Sequence, residues 1–154
     1  MKILIIILLF ILCVHNNGYT YDSKRVHKIQ QKNYQKYLTL DGYNAEGRAT
    51  FYANKLHNRK TASGIKYSKH LYTAASVKLP LMSIVQITNK ANGKSISVLI
   101  NDRGPFKTNA ILDLSNAAAN AVSLKSSDKI LVEFDLQQTL DIIQNTKKLN
   151  KFGV

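Results

Sequence analysis

Between Ser83 and Ile100 the chain carries two β-rich runs separated by Asn92-Gly93, and this pair constrains the fold more than any other segment. Ser83 to Asn89 (SIVQITN) alternates Ile84 with Gln86 and Val85 with Ile87, so both faces carry apolar groups. Lys94 to Ile100 (KSISVLI) alternates Ile96, Val98 and Ile100. Side chains along a strand point to opposite faces in turn, and Asn-Gly adopts the positive φ that a tight hairpin needs. The segment reads as an antiparallel hairpin. Asp102-Arg103-Gly104-Pro105 ends its second strand, because proline offers no N–H and the Gly-Pro pair turns the backbone.

Other runs follow the same style. Arg48 to Ala53 (RATFYA) reads as a first strand, Ala110 to Asp113 as a short one and Lys129 to Phe134 (KILVEF) as a closing one. Ser115 can cap a short helix through Val122. Several short strands with one small helix predict a mainly β protein closed into a barrel. The folded domain is assigned to residues 47–135. Residues 19–46 are polar and basic without a sustained period and read as a linker, with a short helical turn between Val26 and Tyr37. In the C-terminal tail, residues 136–154, Leu136, Leu140 and Ile143 stand at helical spacing.

At the N-terminus, Lys2 precedes an unbroken apolar run from Ile3 to Val14. That run spans about 18 Å as a helix, short of the roughly 20 residues that a bilayer core requires. A basic start and a run of this length make residues 1–18 a secretory signal and predict export. Cys13, the single cysteine, cannot form an internal disulfide. Its place at the end of the run leaves a lipoprotein signal with an acylated Cys13, and an uncleaved membrane anchor, both open. The formal charge of +13 attracts polyanions. The sequence has no aromatic-rich RNA-binding motif and no recognition-helix pattern, and an exported chain meets anionic wall polymers and lipids rather than nucleic acid.

Three groups of residues occur in one order and spacing. Gly47-Arg-Ala-Thr-Phe-Tyr52 is followed by Thr61-Ala-Ser-Gly64. Thr73-Ala-Ala75 is followed by Leu79-Pro80, Val85-Gln-Ile-Thr-Asn89 and Asn92-Gly-Lys94. Asn101-Asp-Arg-Gly-Pro-Phe106 is followed by Asp113-Leu-Ser115 and Ala117-Ala-Ala119. Together, from Gly47 to Phe134, they resemble the RlpA-like (rare lipoprotein A) family. The resemblance implies a six-stranded double-psi β-barrel with one or two short helices, an architecture shared with expansins. It implies a septal endolytic lytic transglycosylase in the bacterial cell envelope, periplasmic or at the outer membrane. Such an enzyme cuts the bond between N-acetylmuramic acid and N-acetylglucosamine without water. An acid protonates the glycosidic oxygen and the muramic acid 6-hydroxyl attacks its own anomeric carbon, leaving a 1,6-anhydro end. No cofactor or metal is implied. The implied partners are peptidoglycan glycan strands and septal cell-division proteins.

Asp102 matches the family's catalytic aspartate. The residues alone also allow Asp102 as a turn cap or as an ion-pair partner of Arg103. Asp113 reads either as a second carboxylate lining a groove or as a buried acid bonded near the following helix. Tyr52, or its neighbour Phe51, can stack on a sugar ring. Thr61 and Asn101 are candidate hydrogen-bonding partners of sugar hydroxyls. His57 and His70 lie in polar loops and read as surface residues rather than metal ligands. The sequence departs from the family at Ile65, where a glutamate is usual, at Ser76, where a histidine is usual, at Met82 in place of glycine and at Ala110 in place of arginine. Isoleucine cannot transfer a proton, and serine is not protonated in the useful range. Two readings result: a transglycosylase that works through Asp102 and is weakened by Ile65 and Ser76, and a non-catalytic, expansin-like peptidoglycan-binding protein.

Overall fold

A computed structural model describes residues 23–106 and 108–151, so the expected signal segment lies outside the described residues. Six strands close into a barrel: β1 (Asn44–Phe51), β2 (Thr73–Ala75), β3 (Ile84–Asn89), β4 (Ser95–Asp102), β5 (Leu112–Leu114) and β6 (Lys129–Phe134). Around the barrel their order is β1-β5-β2-β4-β3-β6. β3 and β4 form the hairpin predicted around Asn92-Gly93, with Val85 opposite Val98 and Ile87 opposite Ile96. Two pairs, β1 with β5 and β2 with β4, run parallel. Each parallel pair joins strands distant in sequence, and these crossovers give the barrel its double-psi form.

β2 escapes sequence reading. Its residues Thr73, Ala74 and Ala75 are all buried, and alanine carries little strand preference of its own. The segment is extended because it bonds to β4 on one side and β5 on the other. Small side chains suit a strand held in the middle of the sheet.

The barrel interior is filled by Ala49, Ala74, Val85, Ile87, Val98, Ile100, Leu112, Leu114, Ile130 and Val132. Ile84 and Leu99 point the other way, into a second cluster with Val26, Ile65 and Met82. This explains the apolar groups on both faces of the Ser83 to Asn89 run.

The cover of the second cluster is the N-terminal helix α1 (Ser23–Leu38), which corrects the expected linker with only a short helical turn. Lysine, glutamine and arginine are good helix formers. Val26, Gln30 and Tyr37 are buried along one side of the helix, with Ile29 and Asn33 half-buried between them. The apolar stripe is hard to see in sequence because a polar residue, Gln30, takes one of its buried places. Tyr37 stacks on Phe134 at 6.4 Å and donates a 2.6 Å hydrogen bond to the Leu81 carbonyl. The first strand begins at Asn44 rather than Arg48, since Asn44 to Arg48 pair with Glu133 to Lys129 of β6.

α2 (Asn116–Ala121) is the short helix expected after Ser115, whose Oγ accepts from the Ala118 N–H. The tail forms α3 (Leu136–Lys151), which packs against α1. Thr139 Oγ1 accepts from the Ile84 N–H at 2.9 Å, and Ile143 joins the core, so the tail is fastened to the barrel. Among the described residues, no helix is long and apolar enough to cross a membrane.

Candidate active site

Asp102 is the last residue of β4, and a one-residue irregularity sets its direction. Ala74 of β2 pairs with Ile100, but Ala75 pairs with Asp102, so Asn101 is skipped. In an unbroken strand Ile100 and Asp102 would share a face, which here is the barrel core. The bulge at Asn101 breaks that parity and brings Asp102 alongside Ala75 on the outer face. Asn101 is consequently 2% exposed, and its carbonyl accepts from the Ser63 N–H. The residue expected to meet sugar hydroxyls is the bulge itself.

A row of residues crosses four neighbouring strands at this level. Asp102 is opposite Ala75, Ala75 is opposite Asp113, and Asp113 is opposite Thr50. Leu112 and Leu114 face the core, so Asp113 between them faces outward. The two aspartate Cα atoms are two strand spacings apart, about 10 Å. Tyr52 lies two residues beyond Thr50 and reaches back over the row.

Both Asp102 oxygens accept hydrogen bonds. Oδ1 receives the Ala62 and Arg103 N–H groups, each at 2.8 Å, and Oδ2 receives the Tyr52 hydroxyl at 2.8 Å. The Arg103 guanidinium is engaged elsewhere: Nη1 donates to the Ser76 carbonyl at 2.9 Å and the Leu79 carbonyl at 2.8 Å. Arg103 thus fixes the loop after β2, while its backbone N–H, rather than its guanidinium, makes the hydrogen bond to the carboxylate.

The Tyr52 ring packs 4.6 Å from the Tyr67 ring, and the Tyr67 hydroxyl donates to Asn116 Oδ1 at 2.8 Å. Burial, reinforced by the hydrogen bond to the Asp102 carboxylate, pushes the Tyr52 phenol far above its ordinary range. It therefore remains a neutral donor. Burial also pushes Asp113 above the usual carboxylate range; a Thr50 hydrogen bond opposes the shift, and the negative charge of Asp102 adds to it. Asp113 Oδ1 is buried and has no hydrogen-bond partner among the described residues.

The remaining expected residues serve the frame. Thr61 is buried, its hydroxyl donating to the Ile65 carbonyl at 2.7 Å and pairing with Ser63 Oγ at 2.9 Å. It closes the loop that presents the Ala62 N–H. Ile65 is 4% exposed and packs beneath Val26 of α1. Ser76 Oγ accepts from the Lys78 and Leu79 N–H groups and caps a turn. His57 and His70 sit edge to face at 5.7 Å, and no metal-binding cluster occurs among the described residues. Sequence reasoning missed Tyr67 and the Ala62 amide. The amide lies inside the Thr61-Ala-Ser-Gly64 motif, but nothing in a sequence marks a backbone N–H as a ligand. Phe51 and Phe106, 53% and 75% exposed, flank Tyr52 and the Asp102 turn in the chain and leave aromatic surface open at this end of the barrel.

A closed six-stranded barrel with two parallel crossover pairs and an outward aspartate at the end of one of them defines the double-psi β-barrel class. A family model described as lytic transglycolase (DPBB_1) matches residues 44–134, more than half of the chain. The chain belongs to this family of RlpA-like double-psi β-barrels. It is similar to proteins named endolytic peptidoglycan transglycosylase RlpA. The Rickettsia felis protein is 36% identical over 138 residues, covering 85% of this chain and 60% of its own. The Neisseria meningitidis protein (strain Z2491) is 41% identical over 97 residues, covering 63% of this chain and 41% of its own. The Pasteurella multocida protein is 48% identical over 97 residues, covering 63% of this chain and 33% of its own. The chain thus spans between a third and three-fifths of the length of these curated relatives. Among solved structures, the Streptomyces papain inhibitor (SPI) matches with a TM-score of 0.46 at 22% identity, over 61% of this chain and 96% of its own.

Proposed function

We propose that this protein is a lytic transglycosylase acting on peptidoglycan glycan strands, with Asp102 as its proton-transferring carboxylate. The observation that carries the reading is the setting of Asp102. A strand bulge turns it out of the core, and Ala62, Arg103 and Tyr52 fix its oxygens beside an aromatic surface. A carboxylate held this firmly is ready for general acid–base work without reorganisation. The reaction balances within the glycan. The C6 oxygen of the muramic acid bonds to C1, the bond from C1 to the leaving oxygen breaks, one proton goes to that oxygen and one leaves the 6-hydroxyl. Water is not consumed and the product ends in 1,6-anhydro-muramic acid. The names of the RlpA relatives support peptidoglycan as substrate. The basic start and apolar run at the N-terminus support export to the envelope, with septal cell-division proteins as partners and attachment to a membrane through that segment or Cys13.

A second reading is favoured by Ile65 and Ser76. One is packed beneath α1 and the other caps a turn, so neither assists proton transfer, and the barrel then binds glycan without cutting it. Mass spectrometry of glycan strands after incubation with the full chain and with its Asp102→Asn variant separates the two. Anhydro-ended fragments from the unmodified chain alone are expected. Their absence from both, with both proteins still pelleting with sacculi, establishes the binding reading instead.

A further inference from the structure

From the row of residues that joins β4, β2, β5 and β1, we infer that proton transfer is divided between two carboxylates. Asp113 is the general acid that protonates the leaving oxygen, and Asp102 is the base that takes the proton of the 6-hydroxyl. The inference rests on the transglycosylase reading and assigns the acid within it.

Three observations carry it. The two aspartates face outward on the same row with only Ala75 between them, so one substrate can touch both. Their surroundings are opposite in kind. Asp102 is met by three donors, which suit a carboxylate that accepts. Asp113 has an inner oxygen with no hydrogen-bond partner, and the Thr50 hydroxyl is the donor that favours its charged form. Among the described residues, the charged and titratable groups that act on Asp113 are Asp102 from β4, Tyr52 from the end of β1 and Tyr67 from the loop before β2. None of these is a cation. Desolvation and a nearby negative charge favour the protonated form of such a carboxyl, in agreement with the upward shift of Asp113. Two carboxylic groups in surroundings of opposite kind, one met by donors and one desolvated, suit a division into base and acid.

The division also accounts for the missing family glutamate. Ile65 is sealed under Val26, yet the site retains a second carboxylate on another strand. In the step itself, the Asp113 proton passes to the departing glycosidic oxygen as the bond from C1 breaks. The 6-hydroxyl proton passes to Asp102 as O6 bonds to C1. Solvent then returns a proton to Asp113 and removes one from Asp102.

The test compares two substrates. Natural glycan strands have a poor leaving group and need the acid; a muramoyl glycan ending in 2,4-dinitrophenol does not. Asp113→Asn is expected to slow anhydro-end formation from glycan strands by roughly 10²- to 10⁴-fold. It should release dinitrophenol within about tenfold of the parent rate, since a leaving group of low pKa needs no general acid. Asp102→Asn should lose both. Asp113→Ala with added formate is the second variant, and recovery of glycan cleavage is expected because formate can occupy the vacated space. Equal loss of both substrates in Asp113→Asn, without formate rescue of Asp113→Ala, overturns the assignment and leaves Asp113 a structural residue. Full glycan cleavage by Asp113→Asn also overturns it while sparing the transglycosylase reading. No product from the parent chain on either substrate overturns both.

Discussion

Tyr52 directly follows β1 and Asp102 ends β4, two strands separated by two others, yet the Tyr52 hydroxyl donates a 2.8 Å hydrogen bond to Asp102 Oδ2. The bond spans the row that contains Ala75 and Asp113. It joins the end of the first psi strand to the end of the fourth, and the Tyr67 ring holds the donor from behind. Tyr52→Phe keeps the ring packing and removes only the donor. We expect a stability loss of about 1 kcal/mol in urea unfolding. We also expect a roughly tenfold slower formation of anhydro ends, because the carboxylate loses an orienting contact.

Restoring the family residue at position 65 should not restore activity. Ile65 lies beneath Val26 against Met82, Ile84 and Leu99, so Ile65→Glu places an unpaired carboxylate in an apolar cluster. The cost is about 3–5 kcal/mol, the range seen when a buried charge lacks a partner. Ile65→Val should cost about 1 kcal/mol and leave catalysis intact. Chemical denaturation of the two variants checks the contrast.

Asp113 makes stability depend on pH in a defined direction. Burial raises its folded-state pKa above the unfolded value, so the native state binds the extra proton between those two values. The fold carries no penalty below the unfolded value. Stability falls as pH rises from the unfolded value to the folded value, and the penalty is complete only above the folded value. Asp113→Asn, which cannot ionise, is expected to melt above the parent at pH 7 and level with it at pH 3. Melting curves at the two pH values test this, and a variant less stable at pH 7 than at pH 3 relative to the parent contradicts it.

Lys24, Lys28, Lys32 and Lys36 of α1 follow one another at four-residue spacing, and all are exposed. The helix contains no acidic residue, so the row is not neutralised locally. Replacing the four by glutamine is expected to weaken pelleting with sacculi several-fold at low salt, with the difference vanishing as salt screens the charges. Equal pelleting at every salt concentration would assign wall affinity to the barrel alone.

The hairpin at Asn92-Gly93, the stop at Gly104-Pro105, the Ser115 cap and strand β6 are written in local alternation, φ requirements and side-chain capping, and each appears where the residues put it. Strand β2 and helix α1 are not legible in that way. β2 is three small residues whose extended form comes from two neighbouring strands, and α1 hides its buried side behind Gln30. Among the candidate site residues, Asp102, Tyr52 and Asp113 gather on one face. Thr61 and Asn101 turn inward to hold the loop and the bulge. No alternation pattern announces a bulge, so the sequence could not tell which of Asn101 and Asp102 would face out.

What the sequence by itself determined is therefore the set of strands with local signals, the closing turns, the family motifs and the identity of the carboxylates. What only the tertiary structure decided is the parity of β4 past Ile100, the register that aligns Asp102, Ala75, Asp113 and Thr50, and the burial of Ile65 beneath a helix that read as a linker. The physical reason is that side-chain alternation and turn chemistry act between near neighbours in the chain. Parallel crossovers, bulges and helix docking are fixed by hydrogen bonds and apolar contacts between residues far apart in sequence, whose free energy exists only once the barrel has closed.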